Sequence, residues 1–493
     1  MLLAFMMVTK PIEFCTTGGI RGEWIPWTDF ERPTTGRLRV TLTPTLYLFG
    51  WPLSFEGNLL ITSEESVTLQ YMSRFSFSIK PREILERRFP ILRCFYLGDA
   101  FPKFSPLTVD GIRIRGFGMD INPGPIILSY FQGNVQRGTE GTSYSEPAYG
   151  RRVYAIRVGI GKLDGSYFAI NFFHAIDDTA SVDTILKVHP HENAVIGVKW
   201  KQKFGPISLD NELALSATSE NLYAPEMNLG KYKIFEPFKR IITPRISTHY
   251  DGAFITRLGI KVRKCQIIAR YRYIGPGYVS LGTSGLKTDI EGWTISTGVK
   301  LHKYIRLNVK WRNEHNNLAN TKLQRTDDNE VRGRLAVRVP KLPQISFEIR
   351  EFKRTGRTVT NRRSYRVRIN YQIVPPIGIN IGCRVDNRDT LTTVDVMTGI
   401  NWRLSEALSL NNNLVYGHDR IDYRGRINLQ KNGLNIWLSV GVGGTQGRYR
   451  WYTTTGVGYK VSKYVSLGSR LRYNRAGSDD EILANAYLQA SFK

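Results

Sequence analysis

The chain has 493 residues and carries 69 Lys and Arg against 42 Asp and Glu, a formal net charge of +27. Only 41% of residues are hydrophobic and no apolar run approaches the ~20 residues a membrane helix needs, which excludes a helical membrane bundle. Four dispersed cysteines, Cys15, Cys94, Cys265 and Cys383, form no CxxC pair, which argues against a zinc ribbon or a disulfide-built scaffold.

At the N-terminus, Met1–Val8 (MLLAFMMV) is too short to span a bilayer and is followed by Lys10 and Pro11, so it reads as the remnant of a signal-peptide apolar region. Cys15 follows Glu13 and Phe14 instead of the small residues of a lipidation site, and a structural cysteine explains it better. One short helical turn is expected near Pro81 to Arg88. Elsewhere the pattern has period two, which on a strand sends successive side chains to opposite faces. Ala194, Ile196, Val198 and Trp200 alternate with Gly197, Lys199, Lys201 and Lys203. Phe254, Leu258, Ile260 and Val262 alternate with Arg257, Lys261 and Arg263, and Arg270 and Arg272 follow in the next strand.

The design continues to the C-terminus. Leu307, Val309 and Trp311 oppose Arg306, Lys310 and Arg312; Val331, Leu335, Val337 and Val339 oppose Arg332, Arg334 and Arg338. After Arg350, Val367, Ile369, Tyr371 and Ile373 oppose Arg366, Arg368, Asn370 and Gln372. Across the Pro375-Pro376 turn, Ile377, Ile379, Ile381, Cys383 and Val385 oppose Asn380, Arg384 and Asp386. Near the end, Val465, Leu467, Leu471 and Tyr473 oppose Arg470 and Arg472, and a final alternating strand runs through Phe492.

Short bends recur with similar centres, LHKYIRL to Leu307, LSEALSL to Leu410 and VSKYVSL to Leu467, each after a Gly-bearing strand. Long polar segments separate the other strand ends: Gly138 to Gly150, Glu220 to Pro244, Glu314 to Glu330 and Arg354 to Arg363. Short turns at one end, long loops at the other, and aromatics such as Trp293, Tyr304, Trp402, Trp451 and Tyr459 near strand ends predict an all-β fold. It is a single large antiparallel transmembrane β-barrel of about 22 to 26 strands, with short periplasmic turns and longer extracellular loops. Residues 1–35 are assigned to a signal remnant or N-terminal extension and 36–493 to the barrel. The stretch before the barrel is too short for a separate plug domain.

The leading functional feature is the basic polar face: Lys199, Lys201, Arg257, Lys261, Arg270, Arg272, Arg306, Lys310, Arg312, Arg334, Arg338, Arg350, Arg366, Arg368, Arg384, Arg470 and Arg472. A Lys or Arg facing lipid at mid-depth costs about 2–4 kcal/mol, so this face is expected to line the lumen. Cross-strand pairing with Glu348, Asp386 and Asp395, or with lipopolysaccharide phosphate at the rim, is the competing use of the same charges.

Catalytic arrangements are weaker. His174, Asp177 and Asp178 (HAIDD) lack a serine in a nucleophile-elbow context, and a polar loop start explains them better. His189, His191 and Glu192 (HPHE) lack a distant third metal ligand, and Gly159, Gly161 and Gly165 (GIGKLDG) suit a hairpin better than a phosphate loop. No catalytic residue, metal or cofactor is assigned. Nucleic acid is excluded as a partner because the cations are dispersed through many strands with no single patch of stacking aromatics.

The segments Leu107–Gly133, Arg151–Ser181, His191–Val198 (HENAVIGV) and Tyr271–Gly282 (YRYIGPGYVSLG), within Arg74 to about Asn317, resemble a family of uncharacterised outer-membrane β-barrel proteins of Bacteroidetes-type Gram-negative bacteria. The resemblance implies outer-membrane location and barrel architecture and carries no activity. The expected function is porin-like passage or binding of anionic solutes or polymer through a basic lumen. The alternative is a structural or assembly component of an envelope complex, its barrel plugged by partner proteins. Expected partners are outer-membrane lipid and lipopolysaccharide, together with periplasmic or plug proteins in the second case.

Overall fold

The computed structural model describes residues 13–25, 35–48, 51–62, 74–79, 92–140, 147–182, 188–227, 241–356, 359–417, 420–445, 448–460, 465–476 and 479–492. Met1–Val8 and the helical turn expected near Pro81 lie outside the described residues.

The strands are β1 (Glu13–Ile25), β2 (Thr35–Leu48), β3 (Trp51–Thr62), β4 (Arg74–Ile79), β5 (Leu92–Ala100), β6 (Lys103–Ser105), β7 (Val109–Asp110), β8 (Ile114–Ile121), β9 (Ile126–Gln136) and β10 (Gly150–Gly161). Then come β11 (Tyr167–Asp178), β12 (Glu192–Phe204), β13 (Ile207–Ser219), β14 (Thr248–Val262), β15 (Cys265–Ile274), β16 (Ile290–His302), β17 (Ile305–His315), β18 (Asp327–Val337) and β19 (Gln344–Thr355). The chain ends with β20 (Thr360–Val374), β21 (Ile377–Arg388), β22 (Leu391–Arg403), β23 (Leu408–Gly417), β24 (Arg420–Lys431), β25 (Leu434–Thr445), β26 (Arg448–Lys460), β27 (Val465–Ala476) and β28 (Asp479–Phe492).

Twenty-six of these strands form one antiparallel sheet, and β6 and β7 form a small hairpin of their own. The sheet closes on itself because β28 pairs with β1, from Thr16 opposite Phe492 to Trp24 opposite Ala484. The ring therefore takes in Glu13–Ile25, within the stretch that the sequence assigned to an N-terminal extension. Closure removes the unpaired edges that an open sheet of this length would expose. A strand such as β10, with 12 residues, is about 40 Å long. Tilted as barrel strands are, it crosses the roughly 30 Å of a bilayer core.

From β5 to β18 connections alternate in length as expected: at one end they are short, as at 205–206, 263–264 and 303–304, and at the other they are long, as at 101–113, 137–149, 179–191, 220–247 and 275–289. From β21 onward the asymmetry is lost, because the connections on the long-loop end shrink to two residues, at 389–390, 418–419, 446–447 and 477–478. Two of the expected loops are shorter than the sequence suggested. β17 and β18 extend into the polar segment Glu314 to Glu330, and β19 and β20 leave only 356–359 between them. Polar strand ends continue the ladder there because cross-strand ion pairs, including Arg354 with Asp328, take up their charges.

One face of the sheet carries exposed apolar side chains strand after strand. Tyr154, Val158, Ile160, Phe168, Ile170, Leu213, Val309, Trp311, Val367, Ile381 and Val396 are among them. A continuous apolar band of this extent belongs to a surface that meets hydrocarbon. The other face carries the polar and basic residues. Over β8 to β16 it is covered by two long connections, residues 101–113 and 275–289, which pack together.

Candidate functional site

The register across the ring determines which residues share a face, since directly opposed residues point the same way. Beginning at the covered sector, Arg157 opposes Asn171, and Ala169 opposes Lys199. Lys199 opposes Glu212, Lys201 opposes Asp210, and Asp210 in turn opposes Arg257. Arg257 opposes Arg270, Ile255 opposes Arg272, and Lys261 opposes Gln266. Arg312 opposes Thr294, Lys310 opposes Ser296, and Arg306 opposes Lys300. Arg334 opposes Glu348, Glu348 opposes Arg366, and Arg366 opposes Arg384, with Arg350 and Arg368 at alternate positions of the same strands. Arg338 follows Arg334 and Ala336 at the same parity, one residue beyond β18. On β27 the backbone register puts Arg470 opposite Gly456 and Arg472 opposite Thr454; their side chains lie outside the described residues. All seventeen positions singled out in the sequence thus belong to one face.

They do not form one cluster. Lys201, Arg257 and Lys261 line a cavity of about 270 Å³ together with Lys203, Asp210 and Gln266. Lys199 lies 4.0 Å from Glu212, Arg272 bonds Glu314 at 2.8 Å, and Arg312 and Arg350 share Glu330 at 2.9 and 2.7 Å. Arg384 joins Arg362 on Asp386. Arg332, a neighbour on the same face, pairs with Glu348 at 2.8 Å. Among the described residues no carboxylate lies within ion-pair distance of Lys201, Arg257, Lys261, Arg270, Arg306, Lys310, Arg334, Arg338, Arg366 or Arg368. Arg366 sits between Glu348 and Arg384 in its cross-strand row, and its Nε is buried without a hydrogen-bond partner. Ion pairing therefore consumes part of the positive face and leaves the larger part of these cations uncompensated.

Sequence reasoning missed the covering of the face. Residues 103–110 form the β6–β7 hairpin, and the Asp110 N–H donates to the Gly282 carbonyl at 3.0 Å. The Tyr278 hydroxyl donates to the Leu107 carbonyl at 2.8 Å and Ser280 Oγ to the Thr108 carbonyl at 2.7 Å. The wall holds both segments: Glu212 accepts from the Leu107 N–H at 2.9 Å, and Asn193 accepts from the Leu281 N–H at 3.0 Å while donating to the Val279 carbonyl at 2.9 Å. Leu107, Val109, Phe131, Phe173 and Tyr278 are almost wholly buried between segments and wall, each contributing roughly 1.5–3 kcal/mol of hydrophobic stabilisation. Burial pushes the Tyr278 phenol well above the ordinary tyrosine range. Close approach demands small residues here. A Cβ on Gly282 would lie 2.2 Å from the Thr108 carbonyl oxygen, and one on Gly197 would lie 2.7 Å from the Thr108 methyl. The four strings that carried the family resemblance converge on this contact, through Leu107, Phe173, Asn193 and Tyr278.

At the long-loop end, Asp289 accepts from the Asn317 N–H at 3.0 Å and the Leu318 N–H at 2.8 Å and pairs with Lys322. Burial opposes its charge, but Lys322 and the two backbone donors outweigh that and hold the carboxyl below its usual range. The HAIDD residues are divided between the two faces. His174 contacts Glu192 at 2.9 Å, whereas Asp177 pairs with Arg151 at 2.6 Å and accepts from the His191 N–H. GIGKLDG forms the β10–β11 hairpin, with Gly161 at φ 115°.

Neither a protein-family model nor a curated protein matches the sequence. Among solved structures, the chain aligns over 98% of its length with a chain of an E. coli P pilus tip assembly intermediate, PapC-PapD-PapK-PapG, at 9% identity and a TM-score of 0.53. It spans 61% of that chain, about three fifths of its length. The copper transporter OprC aligns over 98% of this chain and 80% of its own at 8% identity and a TM-score of 0.46. The P pilus usher (PapC) translocation pore aligns over 97% and 99% at 8% identity and 0.42. The likeness above one half supports the fold, a large barrel of the outer-membrane type.

Proposed function

We propose that this barrel lies in the outer membrane of a Gram-negative bacterium and passes or binds anionic solutes or polymer through a basic lumen, without catalysing a reaction. The observation that carries the reading is the cross-strand register. It collects the cations on one face of a closed sheet while the opposite face carries exposed apolar side chains. With apolar residues toward hydrocarbon, the arginines look into the ring, where low-dielectric walls focus a field of one sign. The short turns then lie on the periplasmic side and the long connections outside the cell, as in barrels of this type. Lipid and the phosphates of lipopolysaccharide are the partners of the outer wall and rim. The resemblance of the covering segments to a Bacteroidetes-type family supports an origin in that group, and we assign the ring to one barrel domain.

A second reading, an assembly component whose lumen is filled by partner proteins, is favoured by the width of a 26-stranded ring and by its alignment with a chain of a pilus assembly intermediate. Planar-bilayer recording separates the two. The first reading gives anion-selective steps, reduced in selectivity by Arg366→Gln combined with Arg368→Gln while heat-modifiable migration is retained. Steps that favour cations, or that ignore the double substitution, contradict it. Silence that ends only when a co-purified partner is stripped supports the second.

A further inference from the structure

Beneath the roof formed by residues 101–104 the basic face holds a cavity of about 720 Å³, within the roughly 300–1,000 Å³ typical of small-molecule sites. Its wall comes from β5, β8, β9, β10 and β11, and the turn at Leu163 and Asp164 bounds it on the short-turn side. Three cations, Arg93, Lys103 and Arg157, line it against two carboxylates, Asp120 and Asp164, an excess of one positive charge.

Arg157 is the central group. It is 7% exposed, and its guanidinium lies 4.7 Å from the centre of the Phe104 ring. Ser129 Oγ accepts from its Nε at 3.2 Å and its Nη2 at 2.8 Å. Nη1 donates to the Lys103 carbonyl at 3.5 Å, and Nη2 also donates to Asp120 Oδ1 at 3.4 Å, an ion pair. Arg157 is the most buried arginine among the described residues; the half-buried Arg151 and Arg113 have their carboxylates closer, Asp177 at 2.6 Å and Asp99 at 2.9 Å. Arg157 is thus a buried cation with one ionic partner, whereas Arg93 and Lys103 have no carboxylate within ion-pair distance among the described residues, so a carboxylate entering the cavity would meet these two cations beside Arg157. The remaining wall is aromatic. Tyr96 and Phe104 both pack on Phe131, at 5.7 and 5.9 Å between ring centres, and Tyr167 joins them. Such faces accept a flat or chair-shaped ring by stacking.

From this combination we infer a binding site for a small ring compound bearing one carboxylate, seated with its charge toward Arg157 and its ring against Tyr96, Phe104 and Tyr167. The inference builds on the proposed function in one respect, that the ligand reaches the cavity through the lumen. Since Lys103 and Phe104 belong to the covering segment, occupancy also ties that segment to the wall.

Calorimetric titration of the purified full-length barrel in detergent tests the site, using benzoate and glucuronate as probes, with benzyl alcohol and glucose as their neutral counterparts. At least one anion is expected to bind about tenfold or more tightly than its neutral counterpart, and the preferred one identifies the ring as aromatic or as a sugar. Arg157→Gln should weaken that affinity by about tenfold, and Lys103→Gln, placed on the exposed roof where folding is not at stake, by a few-fold. Binding of both anions no tighter than the neutral compounds, or affinity unchanged in both variants, overturns the site. Recording from the same preparation keeps the two proposals apart. Binding that persists in a pore without anion selectivity leaves the site standing and removes the basic-lumen reading, and selectivity without binding does the reverse.

Discussion

Two sectors of the ring share one alternation and use it differently. Over β8 to β16 the basic face presents Ala155, Ala169, Asn171, Phe173, Gly197, Ala214 and Ala253, small or aromatic side chains that accept the two covering segments and are buried by them. After Glu330, only glycines are buried among the described residues, and the same face instead presents arginines in cross-strand rows. The wall therefore has a packed side and a bare side. The packed side has a conventional core, whose stability comes from apolar burial and satisfied backbone groups. The bare side rests on the ladder, on ion pairs such as Arg350 with Glu330, and on the membrane around it.

The most direct way to break this contrast is to force a side chain between segments and wall. Gly282→Val places atoms where the Thr108 carbonyl and the Phe173 ring already are, and it is expected to lift the covering segments. Single-channel conductance should rise about twofold or more, with migration on unheated gels still that of a folded barrel. Gly333→Val is the matched control, since nothing lies within 4 Å of a Cβ there, and it should change neither quantity. Equal conductance in both variants would mean the segments do not obstruct the ring.

How much of this could be read in the sequence depends on how local the signal is. Period two is local, so β20 and β21 follow directly from Val367 to Ile373 and Ile377 to Val385, and the register then brings their arginines together. Glu348 and Asp386 were recognisable as partners because they share that parity. The covering segments have no period to detect. Their anchor, Tyr278 to Leu107, joins residues 171 apart in the chain, and the only hint was that family-like strings occurred in pieces of no obvious common purpose. HAIDD, which the sequence already reads as a polar strand end and not a catalytic group, is divided by the same rule: His174 and Asp177 differ in parity and so lie on opposite faces.

A smaller effect sharpens the comparison at the rim of the packed side. The Asp289 carboxyl is held below its unfolded value, so the stability it lends the 316–326 connection is complete above the ordinary Asp range near 4. It is lost as pH falls through the depressed folded value. Protease protection of that connection should be flat from neutral pH to about 4 and should decline only below it. Asp289→Asn should lower protection at neutral pH and remove the decline, and a variant with wild-type protection throughout would show that the Lys322 pairing is incidental.

Whether the arginine face meets water and the alternating apolar face meets lipid can be measured most directly on β20. With Cys15, Cys94, Cys265 and Cys383 replaced by Ser, single substitutions Tyr365→Cys, Arg366→Cys, Val367→Cys and Arg368→Cys are placed in vesicle-reconstituted protein and exposed to a charged, membrane-impermeant thiol reagent. Rapid modification is expected at 366 and 368 and protection at 365 and 367. Modification at 365 and 367 with protection at 366 and 368 would contradict it.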